Sequence, residues 1–97
     1  MTERTDVSLS EALARCRDEI ERIDDQIVAL LERRMAFGQR TGELKREAQL
    51  PILDPDREAA VLQRVAALAR QSGLPVESVE AIFREMVGMS RRAQEMK

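Results

Sequence analysis

The feature that most limits how this chain can fold is a run of apolar residues spaced alternately three and four apart over residues 9–47. Such spacing places one apolar stripe along one face of an α-helix. Its members are Leu13, Cys16, Ile20, Ile23, Ile27, Leu30, Phe37 and Leu44. A helix of this length extends about 58 Å, but a compact domain of this size has a radius of gyration of only about 13 Å. We therefore expect a partner, most simply a second copy packed about a two-fold axis.

Two positions of the stripe are not apolar, namely Arg34 and Thr41. A cation in an apolar seam is costly unless another group pairs with it. Arg34 therefore indicates either a structural ion pair or a binding site. Cys16 in the same stripe is predicted to be an inert core thiol. A single cysteine forms no intrachain disulfide, which is typical of a protein of the reducing cytoplasm.

Composition predicts an all-α protein, because Ala, Leu, Glu and Arg are frequent and the only aromatic residues are 2 Phe. The net charge of -2 gives no strong attraction to nucleic acid or to an anionic membrane. The chain has no histidine, which excludes His-based acid–base catalysis, Ser-His triads and His metal sites. Neither a signal peptide nor a membrane-spanning run is apparent. We expect a cytoplasmic protein.

Residues 1–7 are predicted to be a flexible tail, and residues 8–97 a single domain. The Ser8-Leu9-Ser10-Glu11 segment has the pattern of a capping box and predicts the start of the first helix. Gly38 and Gly42 lie inside the helical pattern, where glycine is unfavourable. Glycine inside a helix often marks close packing, so we expect the helix to continue to about residue 47, before Pro51.

Two shorter helices are expected to follow. Asp54 as N-cap and Pro55 in the first turn predict a second helix over residues 55–72, which Gly73 ends. A third helix is predicted from about residue 76 to residue 94. The residues predicted to face inward are Val61, Leu62, Val65, Leu68 and Ala69 on the second helix, and Val79, Ile82, Phe83, Met86 and Val87 on the third. The stripe of the third helix then continues onto two polar residues, Ser90 and Gln94.

Several cations could converge on one small molecule. Arg34 and Lys45 are eleven residues apart on the first helix, so their side chains point in the same direction to within about 20°. Arg17 lies about 26 Å before Arg34 along that helix, so it could meet the same ligand only from an antiparallel second subunit. Arg57 and Glu58 begin the second helix. An excess of cations suits an anion, and arginine suits carboxylates in particular.

Each of these residues also has a purely structural interpretation. Arg17, Lys45 and Arg57 could be solvated surface residues, and Arg34 could belong to a buried ion pair. Ser90 and Gln94 could lie where the third helix turns to solvent. The joint arrangement, rather than any single residue, indicates a site.

The polar positions and their order resemble the all-helical chorismate mutases, such as the mutase domain of bacterial chorismate mutase–prephenate dehydratases. The resemblance covers about residues 13–94. It rests on Arg17-x-x-Ile20-x-x-Ile23-Asp24, Leu30-Leu31-x-Arg33-Arg34, Gly42-x-x-Lys45, Asp54-x-x-Arg57-Glu58 and Ser90-x-x-x-Gln94. It implies three helices per chain in an intertwined homodimer, and the rearrangement of chorismate to prephenate in phenylalanine and tyrosine biosynthesis, part of the shikimate pathway.

The resemblance also implies roles for individual residues. Arg17 of the partner subunit and Arg34 would bind the two carboxylates of chorismate, supported by Ser90 and by the positive charge of Arg57. Lys45 and Gln94 would donate hydrogen bonds to the ether oxygen of the breaking bond. Glu58 and the backbone near Asp54 would bind the ring hydroxyl. The reaction needs no metal, cofactor or proton transfer, so we expect none.

Three alternatives remain at this point. Isochorismate–pyruvate lyases share the fold but lack an acid at the position of Glu58. A helical dimerisation module without catalysis would explain the apolar stripe, but it would gain little from Arg34, Ser90 and Gln94. The chain could also be a mutase that is natively fused to, or tuned by, another enzyme of the shikimate pathway.

Overall fold

The computed structural model of the chain describes residues 2–96, with side chains described from Ser8 onward. Within that range all regular structure is helical and no strand occurs, which confirms the predicted all-α chain. The helices are α1 (Thr2–Glu47), α2 (Pro55–Ser72) and α3 (Val76–Glu95). None of the helices described there is long and apolar enough to cross a membrane. The chain divides into two units, Met1–Glu32 and Arg33–Lys97.

The predicted start of the first helix at Ser8 is wrong, because α1 begins at Thr2. Residues 2–7 contain neither proline nor glycine, so the backbone can extend the helix by a further turn and a half without a steric penalty. Met1 and the side chains of the predicted tail over residues 1–7 lie outside the described residues.

In the first unit, the apolar stripe is exposed. Leu13, Ile20, Ile23 and Ile27 each leave 49–56% of their surface accessible. The thiol of Cys16 is exposed as well, so its predicted burial is wrong for the single chain. The physical reason is that this unit consists of one helix, and a lone helix has no second element against which to bury a face.

The second unit has a small core between α2 and α3. Its buried apolar residues are Val65, Ala66, Ala69, Val87 and Ala93. Leu68 and Ile82, which were expected to face inward, are 44% and 58% exposed in the single chain. These two side chains lie on the apolar faces of their helices, but outside the part of each face that the neighbouring helix covers. Two helices in contact bury only part of each apolar face.

Both of the first two helices end in the same way. Beyond α1, Gln49 has φ 58, and the Leu50 and Gln49 amides donate to the carbonyls of Lys45 and Arg46 at 2.8 and 3.2 Å. Gly73 has φ 69 at the end of α2, where two equivalent bonds form. This is the Schellman arrangement, which needs a residue of left-handed conformation. It turns the chain sharply after α1 and so determines where the loop before α2 runs.

Within the second unit, α1 approaches α3 closely at Gly42. A Cβ atom at this position would lie 2.8 Å from the Cα atom of Gln94, nearer than two such atoms normally approach. At Gly38, one turn earlier, a Cβ atom would lie 3.6 Å from Ser90, an ordinary contact. Gly42 therefore allows Gln94 to lie close to α1. This agrees with the close packing that was predicted for a glycine inside the helix.

Candidate active site

A cavity of about 430 Å³ lies in the second unit, within the size range of small-molecule sites. Its walls come from the last four turns of α1, the loop before α2, the first turns of α2 and the second half of α3. The charged residues that line it are Arg34, Lys45, Arg57, Arg91, Asp54 and Glu58. Four cations against two carboxylates leave an excess of positive charge, which favours an anionic ligand.

At one part of the cavity, Arg34 is held by α3. Its Nη1 donates to the hydroxyl oxygen of Ser90 at 2.6 Å and to the carbonyl oxygen of Met86 at 3.2 Å. Within the described chain, the guanidinium Nη2 and Nε atoms make no hydrogen bond to protein. The side chain is half-buried and anchored through one nitrogen. Its remaining donors can therefore bind a carboxylate.

Lys45 and Gln94 lie beside each other in the same cavity. The Lys45 Nζ donates to the Oε1 of Gln94 at 2.7 Å and to the carbonyl oxygen of Ile52 at 2.8 Å. An ammonium has three N–H donors, so one remains for a ligand. Because the amide oxygen of Gln94 faces the ammonium, its NH₂ group is directed elsewhere and is also a donor for a ligand. The Arg46 side chain donates to the backbone carbonyl oxygen of Gln94 at 2.6 Å and helps to fix this residue.

The start of α2 brings Asp54, Arg57 and Glu58 to the cavity. The Asp54 carboxylate accepts a hydrogen bond from the Arg57 amide at 3.1 Å, so it caps the helix as predicted. Pro55 follows in the first turn. The side chain of Arg57 is exposed, and that of Glu58 is half-buried.

The residue that the sequence did not indicate is Arg91. It lines the cavity, and its Nη1 donates to the two carboxylate oxygens of Glu58 at 2.7 and 3.0 Å. A signal was present, because Arg91 lies four residues after Val87 and three before Gln94, and so on the same face of α3 as both.

The structure thus places seven of the eight predicted site residues around one cavity: Arg34, Lys45, Asp54, Arg57, Glu58, Ser90 and Gln94. The eighth, Arg17, belongs to the first unit, where it is exposed. Among the described residues, no group of three or more Asp, Glu, Cys or His side chains is arranged to hold a metal ion. The arrangement can bind a small anion and present two adjacent hydrogen-bond donors, Lys45 and Gln94, to one of its oxygen atoms.

The chain matches a known protein family over most of its length. The sequence profile of chorismate mutase type II matches residues 16–95. This chain belongs to the type II chorismate mutase family. The match confirms the resemblance on which the site residues were predicted, and it spans all three helices.

Three similar proteins illustrate the range of the family. A bifunctional chorismate mutase/prephenate dehydratase of Aquifex aeolicus is 36% identical over 80 residues, which are 79% of this chain and 22% of that protein. An isochorismate pyruvate lyase of Pseudomonas aeruginosa is 38% identical over 76 residues, 77% of this chain and 73% of that one. A solved structure, a conserved hypothetical protein of Pyrococcus furiosus, superposes with a TM-score of 0.68 at 36% identity, covering 86% of this chain and 95% of that one. The chain thus spans about a fifth of the length of the bifunctional relative.

Proposed function

We propose that this protein is a chorismate mutase, an isomerase that converts chorismate to prephenate. The observation that carries the proposal is the pairing of Lys45 with Gln94 at 2.7 Å in a cavity with excess positive charge. Chorismate is a dicarboxylate whose ether C–O bond breaks as a new C–C bond forms within the same molecule. The electrons move in a ring and no proton is transferred, which suits a chain that contains no histidine.

The catalytic task is to hold a compact conformer and to stabilise charge on one oxygen. Arg34 would bind one carboxylate through the donors that Ser90 and Met86 leave unused. Lys45 and Gln94 would each donate to the ether oxygen, on which negative charge grows as the C–O bond breaks. Donors that are already in place cost no reorganisation during the reaction, and they act most strongly on the transition state.

The hydroxyl group of the substrate ring would be bound at the start of α2. The Glu58 carboxylate is the acceptor there, with the backbone near Asp54, and Arg57 would add positive potential. Together these contacts would account for all polar groups of chorismate except one carboxylate.

We assign the remaining carboxylate to Arg17 of a second subunit in a homodimer. Four apolar residues of the first unit, Leu13, Ile20, Ile23 and Ile27, are about half exposed in the single chain. Burying such residues typically stabilises an assembly by about 1.5–3 kcal/mol for each fully buried side chain. A two-fold axis would carry Arg17 to the partner's cavity, which would make each site incomplete without the other chain.

A two-product assay tests the proposed activity. Purified protein is incubated with chorismate, loss of the substrate's ultraviolet absorbance is followed, and the product is identified as prephenate or pyruvate. We expect prephenate. Lys45→Ala should lose at least about 100-fold in turnover, or roughly 3 kcal/mol of transition-state stabilisation. Arg40→Ala removes an exposed cation from the same helix and serves as the matched control. A folded dimer without turnover would contradict the proposal.

A mixing experiment tests the assignment of Arg17. Arg17→Ala and Arg34→Ala should each be inactive alone. A heterodimer of the two variants contains one site with both arginines and one site with neither. Random exchange of equal amounts should therefore restore about a quarter of the wild-type activity. No recovery, with subunit exchange demonstrated by mass, would contradict a site shared between chains.

A second candidate function is isochorismate–pyruvate lyase activity, favoured by 38% identity to the lyase of Pseudomonas aeruginosa. Glu58 argues against it, because the family resemblance implies that lyases of this fold lack an acid at that position. The same assay with isochorismate as substrate distinguishes the two activities, since the lyase reaction releases pyruvate. We also infer a role in aromatic amino-acid biosynthesis, supported by the dehydratase activity in the name of the Aquifex relative.

A further inference from the structure

Arg91 and Glu58 form an ion pair at the wall of the cavity. The Arg91 Nη1 lies 2.7 and 3.0 Å from the two carboxylate oxygens, and the side chains of Arg91 and Glu58 are 35% and 26% exposed. The two residues belong to different helices and are 33 positions apart in the chain. The pair is therefore made by the tertiary structure and is more shielded from solvent than the Arg22–Glu19 and Arg40–Glu43 pairs on α1.

We propose that Arg91 is a positioning residue that holds the Glu58 carboxylate and cancels its charge, so that a dianionic substrate can enter the cavity. The inference rests on the proposed function, because it takes chorismate, a dicarboxylate, as the ligand. It adds a residue that has no role in the assignments made above.

The need for Arg91 follows from the charges around the cavity. An unpaired carboxylate at Glu58 would face a ligand with two negative charges, and like charges in a half-buried site repel more strongly than in water. The other carboxylate, that of Asp54, already caps α2. Arg91 is the cation that contacts Glu58 in the described structure, since Arg34 is bound to Ser90 and Lys45 to Gln94.

The geometry also leaves Glu58 able to bind the substrate. A carboxylate offers about four lone-pair positions, and Arg91 contacts each oxygen only once. Glu58 can therefore accept a hydrogen bond from the ring hydroxyl without releasing Arg91. Because Arg91 contacts both oxygens of the Glu58 carboxylate, it also restricts rotation of that group. The lone pairs that remain free therefore keep a fixed orientation toward the ligand.

The test compares Arg91→Met with Arg84→Met. Both variants remove one cation from α3, but Arg84 is 62% exposed, pairs with Glu80 and does not line the cavity. We expect Arg91→Met to raise KM for chorismate about tenfold and to change kcat less than about threefold. Arg84→Met should leave both constants unchanged. The tenfold rise in KM should shrink as salt is raised from about 0.05 to 0.5 M, because salt screens the repulsion.

A double-mutant cycle with Glu58→Gln shows whether Arg91 acts through Glu58. Once the carboxylate is neutral, Arg91→Met should change KM by less than about threefold. Arg91→Lys, which keeps the charge, should recover most of the wild-type KM. If Arg91→Met does not fold, Arg91→Gln is used in the same cycle.

Three results would overturn the inference. An unchanged KM in folded Arg91→Met, with an active wild type, would remove the role of Arg91 and leave the proposed function intact. A full tenfold effect of Arg91→Met in the Glu58→Gln background would mean that Arg91 acts on the substrate directly. A wild type that neither rearranges chorismate nor binds it in calorimetry would overturn the proposed function and this inference together.

Discussion

The ammonium of Lys45 and the amide oxygen of Gln94 are joined by a hydrogen bond of 2.7 Å between residues that are 49 positions apart in the chain. This bond orients the amide, because the oxygen faces the cation and the NH₂ group must point away. It thereby leaves one N–H of the Lys45 ammonium and the NH₂ group of Gln94 as donors next to one cavity. In the proposed reaction, both donors would stabilise the same developing charge.

Gln94→Glu should make the activity depend on pH. A glutamate at this position can donate a hydrogen bond to the ether oxygen only when protonated, and its ionised form would repel the developing negative charge. The protonated fraction falls as the pH rises, so turnover of the variant should fall by more than about tenfold from pH 5 to pH 8. The wild type carries a neutral amide there and should stay nearly constant. Parallel pH profiles for the two proteins would contradict a donor role for Gln94.

Gly42→Ala should disturb the site through the backbone of α3. The new methyl group would lie 2.8 Å from Gln94 Cα, so the helices must move apart. We expect a net loss of about 1–2 kcal/mol in the free energy of unfolding and a lower kcat. Gly38→Ala is the control, because its methyl group would make an ordinary contact at 3.6 Å. The free energy of unfolding of the Gly38→Ala control should rise by up to about 1 kcal/mol, because alanine is more favourable than glycine inside a helix. Equal denaturation midpoints for the two variants would show that the close approach is unimportant.

Gln49→Gly should stabilise the protein by about 0.5–1 kcal/mol, because glycine adopts the left-handed conformation of this helix end without strain. The greater freedom of glycine in the unfolded chain reduces the gain. Gly73→Ala should have the opposite effect, since the same arrangement ends α2 with a glycine at φ 69. Chemical denaturation of both variants measures the two changes. A destabilised Gln49→Gly would mean that the glutamine side chain makes a contribution larger than its backbone strain.

Arg34→Leu should abolish turnover while leaving the fold intact. The leucine fits an apolar helix face and removes the donors that we propose to bind a substrate carboxylate, so kcat/KM should fall at least about 100-fold. The melting temperature should stay the same or rise, as often happens when a half-buried charge is replaced by an apolar residue. Retained turnover in a folded Arg34→Leu variant would contradict the proposed binding of a substrate carboxylate by Arg34.

The local features of the fold could be predicted because each depends on residues near one another in the chain. Asp54 and Pro55 start α2, Gly73 ends it, and both bounds of that helix agree with the prediction. The start of α1 was less predictable, because a capping box at Ser8 is favourable but does not prevent further turns before it. The family resemblance rested on polar residues in a particular order, which a linear sequence displays directly.

Burial and pairing could not be predicted in the same way. Leu68 and Ile82 belong to apolar stripes, yet both are exposed in the single chain, because the amount of each stripe that is covered depends on how the helices cross. Arg91 shows the same limitation. Its position on the helix face of Gln94 was evident, but its bond to Glu58 required α2 and α3 to be placed side by side.

The sequence by itself therefore determined the helices, the family and the order of the polar residues, since these follow from local spacing and composition. Only the tertiary structure decided which donors are already occupied and which remain for a ligand. Hydrogen bonds such as Arg34 to Ser90 and Lys45 to Gln94 depend on distances of a few ångströms between residues about fifty positions apart. Such distances are set by helix packing, including the glycine contact at Gly42, and not by the identity of neighbouring residues in the chain.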